Sequence, residues 1–198
     1  EELPVFVAPS VRPAPAPLSA EDAFGLEGVG PEALDAYREG RVRAASGAPL
    51  DLLAAAGAFE RALERSPRFA AAAYRRALVM ASLGRPHLAL TGLEQAIAQC
   101  PRFYEAMAER ARLLAALGRL KEARAAADEA IAARPDHAPA WAARATAAFL
   151  EGDLEPALVD LDVALGLDPW NDEVRARRKN VVHVLAGPPW ERPFPGAA

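Results

Sequence analysis

Lysine, cysteine, methionine and aromatic residues are all scarce in this chain of 198 residues. One cysteine, Cys100, excludes an intrachain disulfide and any cysteine-rich metal site, and leaves the compartment open between cytoplasm and periplasm. As a half-buried thiol it is expected to be inert. Of 23 basic residues only Lys121 and Lys179 are lysine, an arginine bias that reads as GC-rich bacterial coding. The formal net charge of -4 gives no nucleic-acid footprint. No apolar run approaches the roughly 18 to 20 residues that a membrane-spanning helix needs. The only histidines, His87, His137 and His183, have no acidic or cysteine neighbours at metal-ligand spacing. There is no glycine-rich phosphate loop and no GxSxG turn, so no catalytic residue, metal or cofactor is expected. The chain opens on Glu1-Glu2 without a methionine or an apolar leader, and is expected to be a processed or truncated piece of a longer product.

What the chain has in abundance is alanine, 49 residues of it, the strongest helix former. With β-branched and aromatic residues few, the expected fold class is all-α. Prolines recur at Pro67, Pro101, Pro135 and Pro169, each 34 residues from the last. Gly84, Gly118 and Gly152 keep the same step, as do Ala62, Ala96, Ala130 and Ala164, and Ala55, Ala89, Ala123 and Ala157. A fixed step of this length means a stack of identical supersecondary units.

Each unit reads as two helices. Tyr74, Ala77, Leu78 and Ala81 fall at helical spacing, and Gly84 supplies the left-handed residue that ends the first helix. Pro86 restarts the chain at a first-turn position, and Leu90, Leu93, Ala96 and Ile97 line the second helix up to Pro101. Units 70–103, 104–137 and 138–171 are regular. A first unit, 31–69, is irregular: its first helix spans about Glu32 to Ala45, a turn at Ser46-Gly47-Ala48-Pro49 is lengthened by two or three residues, and its second helix runs from Leu52 to Arg65. After Asn171, a good N-cap, residues 172–186 read as a helix capping the end of the stack.

The 34-residue step, Trp141 at the fourth position of its unit, glycine at the fifteenth, alanines at the twentieth and twenty-seventh and proline at the thirty-second resemble the tetratricopeptide repeat. The resemblance implies a right-handed α-solenoid of about four helix pairs and a non-enzymatic scaffold for protein–protein interaction. It also implies a concave groove lined by the first helices, which here includes Tyr74, Arg75, Leu78, Glu105, Glu109, Arg112, Pro139, Thr146 and Phe149. Where some relatives clamp a terminal carboxylate with lysine and asparagine, this chain has Tyr74, Leu78, Glu109 and Ala143. The expected partner is a protein or peptide segment, with no nucleic acid and no membrane span. The alternative is a permanent subunit of a larger assembly.

Two further patterns belong to the residues themselves. Arg76, Arg110, Arg144 and Arg178 form one 34-residue series, and Glu60, Glu94, Asp128 and Asp162 another. Such series suggest ion pairs repeated along the stack, either inside a unit or between each second helix and the following first helix; the between-unit version uses all eight residues. A stripe of arginines for acidic peptides is the competing reading, and a half-buried arginine without a partner would be expensive. The tails, 1–30 and 187–198, hold nine of the 18 prolines. They read as extended spacers or as docking segments carrying Val5, Phe6, Trp190 and Phe194.

Overall fold

The computed structural model describes Leu26 and residues 28–187. Among these residues there are nine α-helices and no strand: α1 (Pro31–Ala44), α2 (Pro49–Arg65), α3 (Ala70–Ser82), α4 (Pro86–Gln99), α5 (Tyr104–Ala116), α6 (Leu120–Ala133), α7 (Ala138–Glu151), α8 (Leu154–Leu167) and α9 (Asp172–Leu185). The first eight pair off in sequence, and the pairs stack into a solenoid that α9 closes against α8.

The turns follow from their residues. Gly84, Gly118 and Gly152 have φ of 70°, 75° and 90°, the left-handed region that glycine enters without a Cβ penalty. At each, the following amide reaches back five residues: Arg85 to the Met80 carbonyl at 2.9 Å, Arg119 to Leu114 at 3.0 Å, Asp153 to Ala148 at 2.9 Å. The result is one turn built three times, and it aims each second helix back along the first. The first unit departs from this pattern. Its α2 begins at Pro49, three residues before the expected Leu52, because proline fits the first helical position and Ser46 Oγ accepts the Ala48 amide and donates to Asp51.

Both alanine columns lie at the centre of the stack. Ala55, Ala89, Ala123 and Ala157, and Ala62, Ala96, Ala130 and Ala164, are all fully buried. A methyl group there lets each second helix approach its neighbours closely, and α7 rests on both α6 and α5. By contrast α1 lies broadly on α2 but meets α3 only at its margin, which leaves a wedge on that side. The contact with α2 is tight at Gly40, where a Cβ would sit 2.6 Å from the Phe59 ring.

A third column plugs the corners between units. Phe69, Phe103, His137 and Asn171 stand immediately before α3, α5, α7 and α9 and are 34 residues apart. Phe69 and Phe103 are fully buried, and each meets a tyrosine of the preceding unit: Tyr37 with a centroid separation of 4.8 Å, Tyr74 with 4.9 Å. His137 meets Tyr104 in the same way at 4.9 Å. Asn171 has no ring; its Oδ1 instead accepts the Val174 amide at 3.1 Å and caps α9.

Candidate partner-binding surface

The first helices α3, α5 and α7 line one face of the stack, and α9 extends it. Of the nine groove residues expected there, Tyr74 and Glu105 are buried and cannot line it. Tyr74 turns inward to pack on Phe103, with the Arg75 guanidinium 5.8 Å from its ring centre. Glu105 lies beside Tyr104, whose hydroxyl is pushed above its usual pKa, first by burial and then by this carboxylate. Arg75, Leu78, Glu109, Thr146 and Phe149 are half-buried, and Arg112 and Pro139 are exposed.

In the middle of the face, Arg112 Nε donates to both Glu109 oxygens at 3.1 and 2.9 Å. That hydrogen bonding raises the arginine's pKa, with a weaker pull from Glu173. At the C-terminal end, Thr146 Oγ1 donates to the Ala142 carbonyl at 2.7 Å and accepts from Arg177, which in turn donates to Glu173 at 2.9 Å. Between α7 and α9 lies a hollow of about 400 Å³, lined by Thr146, Phe149, Leu150, Glu173, Ala176, Arg177 and Asn180. The α9 members escaped the sequence reading, although one more 34-residue step from Pro139, Ala143 and Thr146 lands on Glu173, Arg177 and Asn180. A second hollow, of about 360 Å³, fills the wedge beside α1, where Ala44, Leu52, Phe59, Leu78 and Val79 form its apolar wall.

The arginine series occupies the seams. Arg76 donates to Glu60, Arg144 to Asp128 at 2.7 Å, and Arg178 to Asp162, each joining a second helix to the next first helix. Arg110 does otherwise: it donates to Glu129 of its own unit at 2.5 Å, not to Glu94. Only this unit has a carboxylate at that column, where the others have Arg61, Gln95 and Val163. This pairing leaves the buried Arg110 Nε without an acceptor. Arg144 is the most heavily bonded. Its Nε and a terminal nitrogen donate to the two oxygens of Asp160 at 2.8 and 2.7 Å, and it lies 4.8 Å from the Trp141 ring centre. Bonding to Asp160 first, then Asp128, raises its pKa further. Arg124 adds another seam contact, reaching Glu151 at 2.7 Å and Asp153 at 2.8 Å.

The His137 imidazole is pushed down to about 4, chiefly by burial and then by Arg134, against a smaller pull from Asp136. Between pH 6.5 and about 4 the unfolded state takes up a proton that the folded state refuses, so stability falls as pH falls through this window and is fully present above it. For a half-buried ring the loss is about 1–2 kcal/mol after allowance for solvent screening. Substituting His137→Phe, the residue of the two equivalent corners, is expected to flatten that slope. Urea midpoints of both proteins at pH 7.5 and 4.5 check this; equal losses on acidification would contradict it.

Among the described residues no group of three histidine, cysteine or acidic side chains is placed to hold a metal. No helix there is long and apolar enough to cross a membrane. Val5, Phe6, Trp190 and Phe194 lie outside the described residues.

Helix pairs of constant step, close-packed through alanine and presenting a continuous face of first helices, define a repeat protein whose architecture serves to display extended surfaces. The family model for the tetratricopeptide repeat matches residues 50–105, 79–138 and 108–171, and the chain belongs to this family. No curated protein matches it. Its fold is similar to YrrB, described as a TPR protein with an unusual peptide-binding site, at 26% identity over 74% of each chain with a TM-score of 0.63. A TPR protein of Thermus thermophilus, TTC0263, aligns at 26% identity over 78% of this chain and 83% of its own, with a TM-score of 0.66. A MamA fragment from Desulfovibrio magneticus shares the fold at 18% identity, over 77% of this chain and 85% of its own, with a TM-score of 0.66. Proteins of this family are generally non-enzymatic scaffolds, and the fold of this chain is that of a protein–protein interaction module.

Proposed function

We propose that the chain holds an extended or helical segment of a partner protein against the concave face, at the end formed by α5, α7 and α9. The observation that carries this reading is the hollow between α7 and α9, where Phe149 and Leu150 offer an apolar floor while Arg177, Glu173 and Asn180 offer polar groups at its rim. That combination suits a peptide with one or two apolar anchors and a polar backbone. YrrB, a relative of similar fold, is described as having a peptide-binding site.

The test starts from gentle purification from the native source, with co-purifying chains identified by mass spectrometry. The partner's affinity is then measured for the wild type and for Phe149→Glu. The reading expects a loss of about tenfold or more with helical content unchanged. An unchanged affinity would place the partner elsewhere on the stack.

A second reading is the permanent subunit anchored by its proline-rich tails. Large exposed apolar side chains, Leu50 at 80% and Trp170 at 85% exposure, favour it. It predicts a complex of fixed composition in place of a discrete mass near 21 kDa.

A further inference from the structure

The outer face of α8 differs from the equivalent faces of α4 and α6. In the unit before, the matching positions are Ala125, Glu129, Ala133 and Asp136, and in the one before that Thr91, Gln95, Gln99 and Arg102. In α8 and its following turn they are Val159, Val163, Leu167 and Trp170. Val159 is 61% exposed, Leu167 42% and Trp170 85%. Burial inside the fold does not explain them, because α8 already buries Ala157, Leu161 and Ala164 on its other side. Spacings of four residues put Val159, Val163 and Leu167 on one strip of α8, about 12 Å long at 1.5 Å per residue, and Trp170 stands in the turn just beyond its end. Gly166 adds a notch: a Cβ there would meet nothing within 4 Å.

The stretch of chain that carries this strip is acidic throughout, and the arginines beside it are already bound to its carboxylates. From Glu151 to Glu173 the chain has eight carboxylates and no basic residue. Most are bound by arginines of neighbouring helices, but Glu155 at one end and Asp168 at the other have no basic partner among the described residues; Asp168 accepts only from Asn171. Beside Val159 opens a hollow of about 510 Å³ whose wall includes Glu155 and Pro156, together with Asp128 and Asp160, both bound by Arg144, and Arg124.

We infer that the α8 strip with Trp170 is a second docking surface, on the opposite side from the concave groove, and that its occupant is a basic amphipathic helix of a partner protein. The occupant's apolar residues lie on Val159, Val163, Leu167 and Trp170, and its lysines or arginines meet Glu155 and Asp168. A second copy of this chain does not suit the strip. Two strips paired antiparallel about a two-fold axis bring Glu155 of one copy to Asp168 of the other, carboxylate against carboxylate. An anionic membrane surface meets the same repulsion.

The probe is a labelled synthetic helix of about three heptads with a leucine seam and lysine flanks, compared with the same seam flanked by glutamate. Binding to the full chain is followed by fluorescence anisotropy at low and physiological salt. The variant Val159→Thr, Leu167→Gln, Trp170→Arg copies the residues that the 70–103 unit has in this register, so the fold tolerates it. The expected result is salt-sensitive binding of the lysine-flanked helix, weakened about tenfold or more in the triple variant and by glutamate flanks, and unaffected by Phe149→Glu. No binding, equal binding of the two helices, or binding that the triple variant leaves intact overturns the inference. So does a self-association in sedimentation that the triple variant abolishes, since that assigns the strip to a second copy. Because Phe149→Glu acts only on the concave face, failure of the groove reading and failure of this one give different results.

Discussion

Replacing Arg144 with alanine is expected to lower the unfolding free energy by about 2–4 kcal/mol. The cause is what remains behind. Asp160 has a side chain only 7% exposed, and Arg144 supplies two of its hydrogen bonds. Without that guanidinium a buried carboxylate has lost its counter-charge, and Asp128 loses its link across the seam. The two preceding units show how the site does without the pair, since they have Ala126 and Gly92 in the Asp160 column. Adding Asp160→Ala to the Arg144→Ala protein should therefore restore a substantial part of the lost stability, and urea denaturation of the single and double variants measures it. If the double variant is less stable than the single one by the sum of two independent losses, the pair is not coupled as described.

Phe103→Ala is expected to cost about 3–5 kcal/mol. The ring is fully buried at the corner between units 70–103 and 104–137, where it packs on Tyr74. A solenoid is held by contacts between neighbouring units, so a hole at one corner weakens the coupling of everything on either side. The loss should appear as a broadened urea transition in which the N-terminal and C-terminal halves separate. Fluorescence of Trp141 set against circular dichroism reads this directly, and coincident transitions with an unchanged midpoint would contradict it.

The parts of the fold legible in the sequence are those where backbone geometry demands one residue type. A left-handed turn needs glycine, a first helical turn accepts proline, and two helices in close contact need alanine, so Gly84, Pro86 and Ala89 announce themselves at a constant step. The corner column was harder to see because its chemistry changes along the chain, from Phe69 and Phe103 to His137 and Asn171, while its position does not.

The groove was less legible than the fold. The resemblance to the family implies that Tyr74 and Glu105 lie on the concave face, but both are buried, Tyr74 against the Phe103 ring. The choice of Arg110 between Glu94 and Glu129 was likewise hidden, since the recurring series points to Glu94 while the carboxylate that Arg110 meets stands outside that series. Arg177 and Asn180 were missed for a simpler reason: α9 was read as a cap, although it continues the face of first helices and forms one wall of the hollow.

The central claim is that the concave end of the stack grips a partner segment. A photo-crosslinking amino acid placed at Phe149 in the native host, with a second protein carrying it at the exposed Leu88 of α4 as control, tests this most directly. The account predicts crosslinks from position 149 to one contiguous segment of a single partner, and none to that segment from position 88. Crosslinks from 88 and none from 149 would show that the concave end is not where partners bind.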